Sequence, residues 1–172
     1  DFSGVVQPFS ESKSGFIGSI TGKGYNAADA FKETNRANIE DTDATVIVRP
    51  FTNGNEGYML KSLGEKYSSK VAAQTFTENP IEAAQYVAKG LAKSEGSKVV
   101  NFKGNTLETN GWSQNEWNEY MFTLLQEAVK QGANIKEVRT DGLNGVGVAT
   151  VIAASALGIK TSIIAPAYES KN

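Results

Sequence analysis

Neither cysteine nor histidine occurs in the 172 residues. Their absence removes disulfides, thiolate nucleophiles, imidazole bases and the usual zinc sites together. Neither sign of charge dominates: the net charge is -2 and the pI about 5.3, without the basic excess of a nonspecific nucleic-acid binder. No apolar run approaches the ~20 residues that span a bilayer, and Asp1-Phe2-Ser3-Gly4 does not read as a signal peptide. Repeats, low-complexity tracts and linkers are missing as well. The expectation is one cytoplasmic domain over residues 1–172, off the membrane and not on nucleic acid.

What is present is ordinary globular material, 40% hydrophobic and 21% charged, long enough to bury a core without staples. Chemistry is left to carboxylates, Lys, Arg, Tyr, hydroxyls and backbone N–H groups. That set suits phosphate binding and carboxylate-assisted hydrolysis. No motif supports a metal, and nothing in the composition selects a cofactor.

Short stretches rich in β-branched residues, bounded by turn formers, predict strands at 16–20, 44–48, 70–76, 98–102, 135–139 and 161–165. Several are apolar on consecutive positions, as in Thr45-Val46-Ile47-Val48, which marks strands covered on both faces of a parallel sheet. Helical patterns lie between them. Asn79-Pro80-Ile81-Glu82 offers an N-cap, a first-position proline and a reaching glutamate. Ser113-Gln114-Asn115-Glu116 is a capping box, followed at helical spacing by Trp117, Tyr120, Met121, Leu124, Leu125 and Ala128, with Gly132 as the stop. A further helix is expected over 146–157, and weaker patterns lie at 27–39 and 56–68. The alternation predicts an α/β fold, a Rossmann-like three-layer domain with a mostly parallel sheet of about five or six strands. Residues 3–15 suit an edge hairpin, an added edge strand or an arm.

The strongest local signal is Arg139-Thr140-Asp141-Gly142-Leu143-Asn144-Gly145-Val146-Gly147, a strand running through a glycine-rich turn into an apolar helix. Backbone N–H groups there can cradle a phosphate, with Gly142, Asn144, Gly145 and Gly147 as the candidates. A tight turn whose glycines serve only packing is the alternative. Asn53-Gly54-Asn55-Glu56-Gly57 and Lys103-Gly104-Asn105-Thr106 follow two other strands and add Gly54 and Asn105. The polar run 33–43 adds Arg36, which can hold a phosphate bidentately, and Asp41 and Asp43, which can accept from a ribose hydroxyl. Against this stands a solvated helix end with Asp caps.

The segment Asn38-Ile39-Glu40-Asp41-Thr42-Asp43-Ala44-Thr45, with Glu33-Thr34 and Arg36 before it, resembles the Asn-Val-x-Asp-Ser-Asp-Ala-Thr segment of the molybdenum-carrier family. That family belongs to the SLOG group of Rossmann-like domains, which also holds the lysine-decarboxylase-like phosphoribohydrolases. Gly22-Lys23-Gly24-Tyr25 resembles the family's Pro-Lys-Gly turn. Gly142-Leu143-Asn144-Gly145-Val146-Gly147 is similar to its Gly-Gly-Gln-Thr-Gly-Val-Asp turn, with Gly147 where the family has Asp. The order differs: here the glycine turn comes last, as in a circularly permuted chain, and relatives of this kind occur on phage genomes. The resemblance implies a site for a nucleotide or ADP-ribose-like ligand at the carboxyl ends of the strands, flanked by Arg36, Asn38 and Asp41. It also implies a second reading, a nucleotide N-glycosidase with a carboxylate at Glu56 or Asp43. A third reading is a structural or oligomer-forming domain whose turns are empty.

Overall fold

The computed structural model describes residues 5–8, 15–21, 27–52, 65–107 and 111–167. The elements in chain order are β1 (Val5–Pro8), β2 (Gly15–Thr21), α1 (Ala27–Glu40), β3 (Ala44–Val48), α2 (Glu65–Ser68) and β4 (Val71–Thr75). They continue with α3 (Pro80–Leu91), β5 (Lys98–Gly104), α4 (Gln114–Lys130), β6 (Ile135–Thr140), α5 (Val146–Ala156) and β7 (Lys160–Ala167). The strands form a seven-stranded sheet in the order β1-β2-β7-β6-β5-β3-β4. Every neighbouring pair from β2 to β4 is parallel, and β1 alone runs antiparallel, added to β2 at the edge. This is the expected Rossmann-like architecture, with an added edge strand inside the segment 3–15.

Within the sheet, β4-β3-β5-β6-β7 repeats the 2-1-3-4-5 order of a common doubly wound fold. The chain leaves β3 outward to β4, returns across β3 to β5, then steps through β6 to β7. Right-handed crossovers therefore put α3, α4 and α5 on one face and α1 on the other. The first face is the apolar one. Val46, Val48, Val100, Phe102 and Val138 meet Ala84, Val87, Leu91, Trp117, Leu124, Leu125, Ala149 and Ala153 in one buried cluster. Trp117 is core, as its place on the α4 stripe predicts.

Alternation along each strand sends the intervening residues to the α1 face. There the sequence supplies Thr45, Asn101, Lys103, Glu137, Arg139, Asp141 and Ser162, with Ile47, Val99 and Ile164 as the apolar minority. Two-sided burial was expected from the apolar runs and holds for β3, whose residues are all buried. On β5 and β6 the second covered face is polar. That asymmetry positions the candidate site.

Local punctuation follows the sequence signals closely. Asn79 Oδ1 accepts from the Ile81 and Glu82 N–H groups at the start of α3. The Ser113–Glu116 capping box is formed in both directions. Gly132, at φ 100°, and Gly158, at φ 74°, lie just beyond the ends of α4 and α5. The described part of the 56–68 pattern is the short α2. No helix among the described residues is long and apolar enough to cross a membrane.

Candidate functional site

In a sheet of this order the open end is where the strand order reverses, at the carboxyl ends of β3 and β5. Here that position is filled by protein. Asn105, fully buried, accepts from Phe51 N–H at 3.1 Å through Oδ1 and donates to Phe51 O at 2.9 Å through Nδ2. Phe51 in turn packs edge-on against Trp112, with ring centroids 5.0 Å apart, and Trp112 leans on Trp117 and Tyr120. Burial first, then the Glu82 and Glu78 charges, pushes the Tyr120 hydroxyl well above its usual pKa, and it donates to Thr77 O at 2.5 Å. Asn105 is thus a clasp between two loops rather than a free ligand donor.

The glycine turn between β6 and α5 is similarly occupied. Gly145 N–H donates to Gln114 Oε1 at 2.7 Å, Val146 N–H to Asn105 O at 3.0 Å, and Val148 N–H to Leu143 O at 2.9 Å. Leu143 N–H is taken by Asp141 Oδ1, and Asn144 O accepts from Leu107 N–H. Of the four candidate donors at Gly142, Asn144, Gly145 and Gly147, Gly142 N–H goes to Thr140 Oγ1 at 3.3 Å and Gly145 N–H to Gln114, so two of the four serve the turn itself. The glycines are required by contact. A Cβ on Gly145 would stand 2.4 Å from Asn105 O at φ 103°, and one on Gly147 would stand 2.7 Å from Asp141 Oδ1.

The α1 face offers a different arrangement. Lys103 and Asp141, at the carboxyl ends of β5 and β6, form a partly buried ion pair. Asn38 on α1 donates from Nδ2 to Ile164 O at 3.0 Å. Thr140 pairs with Ile163 in the ladder, so Ile164 is level with Asp141, one strand spacing of about 4.8 Å away. Thr34 lies one turn before Asn38 on the same helical stripe, nearer the start of α1 and hence nearer the carboxyl ends, whereas Glu33 and Arg36 share the stripe of Glu40, which meets Tyr67. Glu33 pairs with Arg36 at 3.3 Å. On this stretch of α1, Thr34 Oγ1, Arg36 Nε and Asn38 Oδ1 are buried with no hydrogen-bond partner among the described residues, and Glu33 Oε2 has the Arg36 ion pair alone. Thr75 Oγ1 and Trp117 Nε1 also lack one, but each is isolated elsewhere in the fold.

Closer to the amino ends, the same face is fully paired. Arg139, almost entirely buried, donates from Nε to Ser162 Oγ at 2.6 Å and from Nη1 to Asp41 Oδ2 at 2.8 Å. Ser162 Oγ donates to Glu137 Oε2 at 2.6 Å, and Lys160 reaches Glu137 Oε1 at 3.0 Å. Burial alone would raise the Glu137 carboxyl, but the Ser162 hydrogen bond, Lys160 and Arg139 outweigh it and hold its pKa below the usual value. Asp43 accepts from Val99 N–H at 2.8 Å, at the entrance to β5.

The predicted site residues therefore divide. Asn38 reaches β7 at the level of Asp141, with Thr34 on the same stripe of α1, whereas Arg36 pairs with Glu33 on a neighbouring stripe. Asp41 and Asp43 lie in the turn that enters β3, at the amino ends, opposite to the Gly142 turn. They are engaged there as structural acceptors, which removes Asp43 from any reaction at the carboxyl ends. Within the first segment of the resemblance, Asn38 thus lies toward the carboxyl ends, and Asp41 and Asp43 toward the amino ends. Gly54 and Glu56 fall outside the described residues. Lys103 and Asp141 join the expected residues here; the signal for them is a charged residue next to last in β5 and one just beyond the end of β6. No family model matches this chain, and neither do any curated protein or solved structure.

Proposed function

We propose that this chain binds a phosphate-bearing nucleotide or ADP-ribose-like small molecule between α1 and the polar face of the sheet, toward the carboxyl ends of β5, β6 and β7. One observation carries the reading: along one stretch of α1, buried polar atoms of Thr34, Arg36 and Asn38 have no hydrogen-bond partner among the described residues. A buried polar atom without a partner costs about 1–3 kcal/mol, so several along one helix are a standing penalty unless something meets them. Their chemistry suits such a ligand. Arg36 and Lys103 bring positive charge for a phosphate, and Glu33, Asn38 and Asp141 bring acceptors for ribose hydroxyls or a base amine.

A second reading is favoured by the glycine turn, where Gln114 and Asn105 use the donors that a phosphate would need. On that reading the turn is a packing device, and ligand contact rests with α1 alone. Hydrolysis would require a carboxylate beside the anomeric carbon; Glu33 and Asp141 are buried in this region, and Asp141 is already held by Lys103.

The test is mass spectrometry of small molecules released by denaturing the purified protein, followed by titration of that compound into Arg36→Met and Glu33→Gln. Binding predicts a phosphate-bearing compound and at least a tenfold weaker affinity in Arg36→Met. Conversion of the compound by wild type and not by Glu33→Gln would make the site a hydrolase. Affinity unchanged in both variants would remove the site from α1.

A further inference from the structure

We propose that the free edge at β4, together with α3, is a docking site for an extended acidic segment of another protein, which adds as a strand beside β4. β4 ends the sheet, and its outward backbone groups have no strand beside them among the described residues. A sheet edge of this kind pairs with an extended chain through main-chain hydrogen bonds, and side-chain pockets then give selectivity.

The wall beside that edge is what selects. Gly90 lets α3 settle on β4: a Cβ there would stand 2.2 Å from Ala72 O. The helix thereby overhangs the edge, and a groove forms with Ala72, Ala73 and Gln74 as floor and Tyr86, Lys89 and Lys93 as wall. The lining carries two exposed lysines and no carboxylate. Lys89 lies in the last turn of α3 and Lys93 two residues beyond its end, and both line the same groove. An extended strand sends alternate side chains to one side, about 6.6 Å apart, so acidic residues at alternate positions face the lysines. Tyr86, about half exposed at 53%, lines the same wall and adds an apolar surface beside the lysines. The occupant is accordingly an extended segment with acidic residues at alternate positions. This rests on a different surface from the α1 face and does not depend on ligand binding there.

The experiment is fluorescence anisotropy with fluorescein-labelled peptides of about ten residues, alternating Thr and Val with two Glu two positions apart, made in both chain directions. Binding by one direction is expected, weakening as salt rises. Replacing both Glu by Lys should abolish it, and so should N-methylation of alternate peptide amides, which blocks strand pairing without altering the protein. The double variant Lys89→Glu, Lys93→Glu should bind the Glu peptide at least tenfold more weakly and accept the Lys peptide instead. The proposal is overturned if neither direction binds at millimolar concentration, if N-methylation leaves affinity unchanged, or if charge reversal on α3 has no effect. It is also overturned if the same variants instead abolish a concentration-dependent dimer of this chain, since a second copy would then own the edge.

Discussion

Glu137 sits under Arg139, Ser162 and Lys160, and that enclosure makes it the residue whose protonation matters most to this face. Its folded pKa lies below the unfolded value, so it contributes stability that is present above about pH 4.3 and lost as pH falls through the folded pKa. Glu137→Gln is expected to lower stability at pH 7 and to flatten the fall between about pH 5 and pH 3, read from urea midpoints across that range. An unchanged acid limb would place the acid sensitivity elsewhere. The clasp residue gives a second forecast. Asn105→Ala strands the Phe51 N–H and C=O and should cost about 2–3 kcal/mol in urea denaturation, a loss of fold stability with no change in chemistry at α1. Gly145→Ala should cost on the order of 3 kcal/mol, because the turn's φ and the nearby Asn105 O both exclude a Cβ.

At the scale of elements, punctuation was the most readable feature of the sequence. The capping box at Ser113 and the glycine beyond α4 fixed that helix to within a residue or two, since both ends are decided by neighbours in the chain. Ser113→Ala should cost about 1 kcal/mol and fray the first turn of α4, visible as faster amide exchange at Glu116. β7 extends to Lys160–Ala167, beyond the expected 161–165, because parallel pairing with β2 covers its later residues, a contact that no local pattern encodes. The site residues divide for a reason that chain polarity already held. Asp41 and Asp43 precede a strand and the Gly142 turn follows one, so in a parallel sheet they belong at opposite ends. Spacing and residue type, which suggested a shared ligand, carry no such polarity.

For the whole molecule, fold class was legible and strand order was not. Alternating elements with doubly buried runs point to a parallel sheet. The long crossover from β2 to β3, passing over β7, β6 and β5, is fixed by which helices can share each face, and that depends on packing across the whole chain. The polar character of the α1 face was partly legible as Glu33, Thr34, Arg36 and Asn38 on one helix. The partnerless burial of Thr34, Arg36 and Asn38 atoms depends on the sheet opposite and could not be read from them alone.

Unpartnered polar atoms kept for a ligand burden the empty protein and help only the bound one. Thr34, almost fully buried, separates the alternatives, because Val matches its shape without the hydroxyl. The measurement is thermal melting of wild type and Thr34→Val, each alone and with a panel of nucleotides and ADP-ribose. The account predicts that Thr34→Val alone melts at or above wild type, by up to about 1 kcal/mol of added stability. It also predicts that the ligand raising the wild-type Tm gives a clearly smaller rise in the variant. A variant that melts well below wild type while keeping the full ligand response, or a wild type that no compound in the panel stabilises, would contradict it.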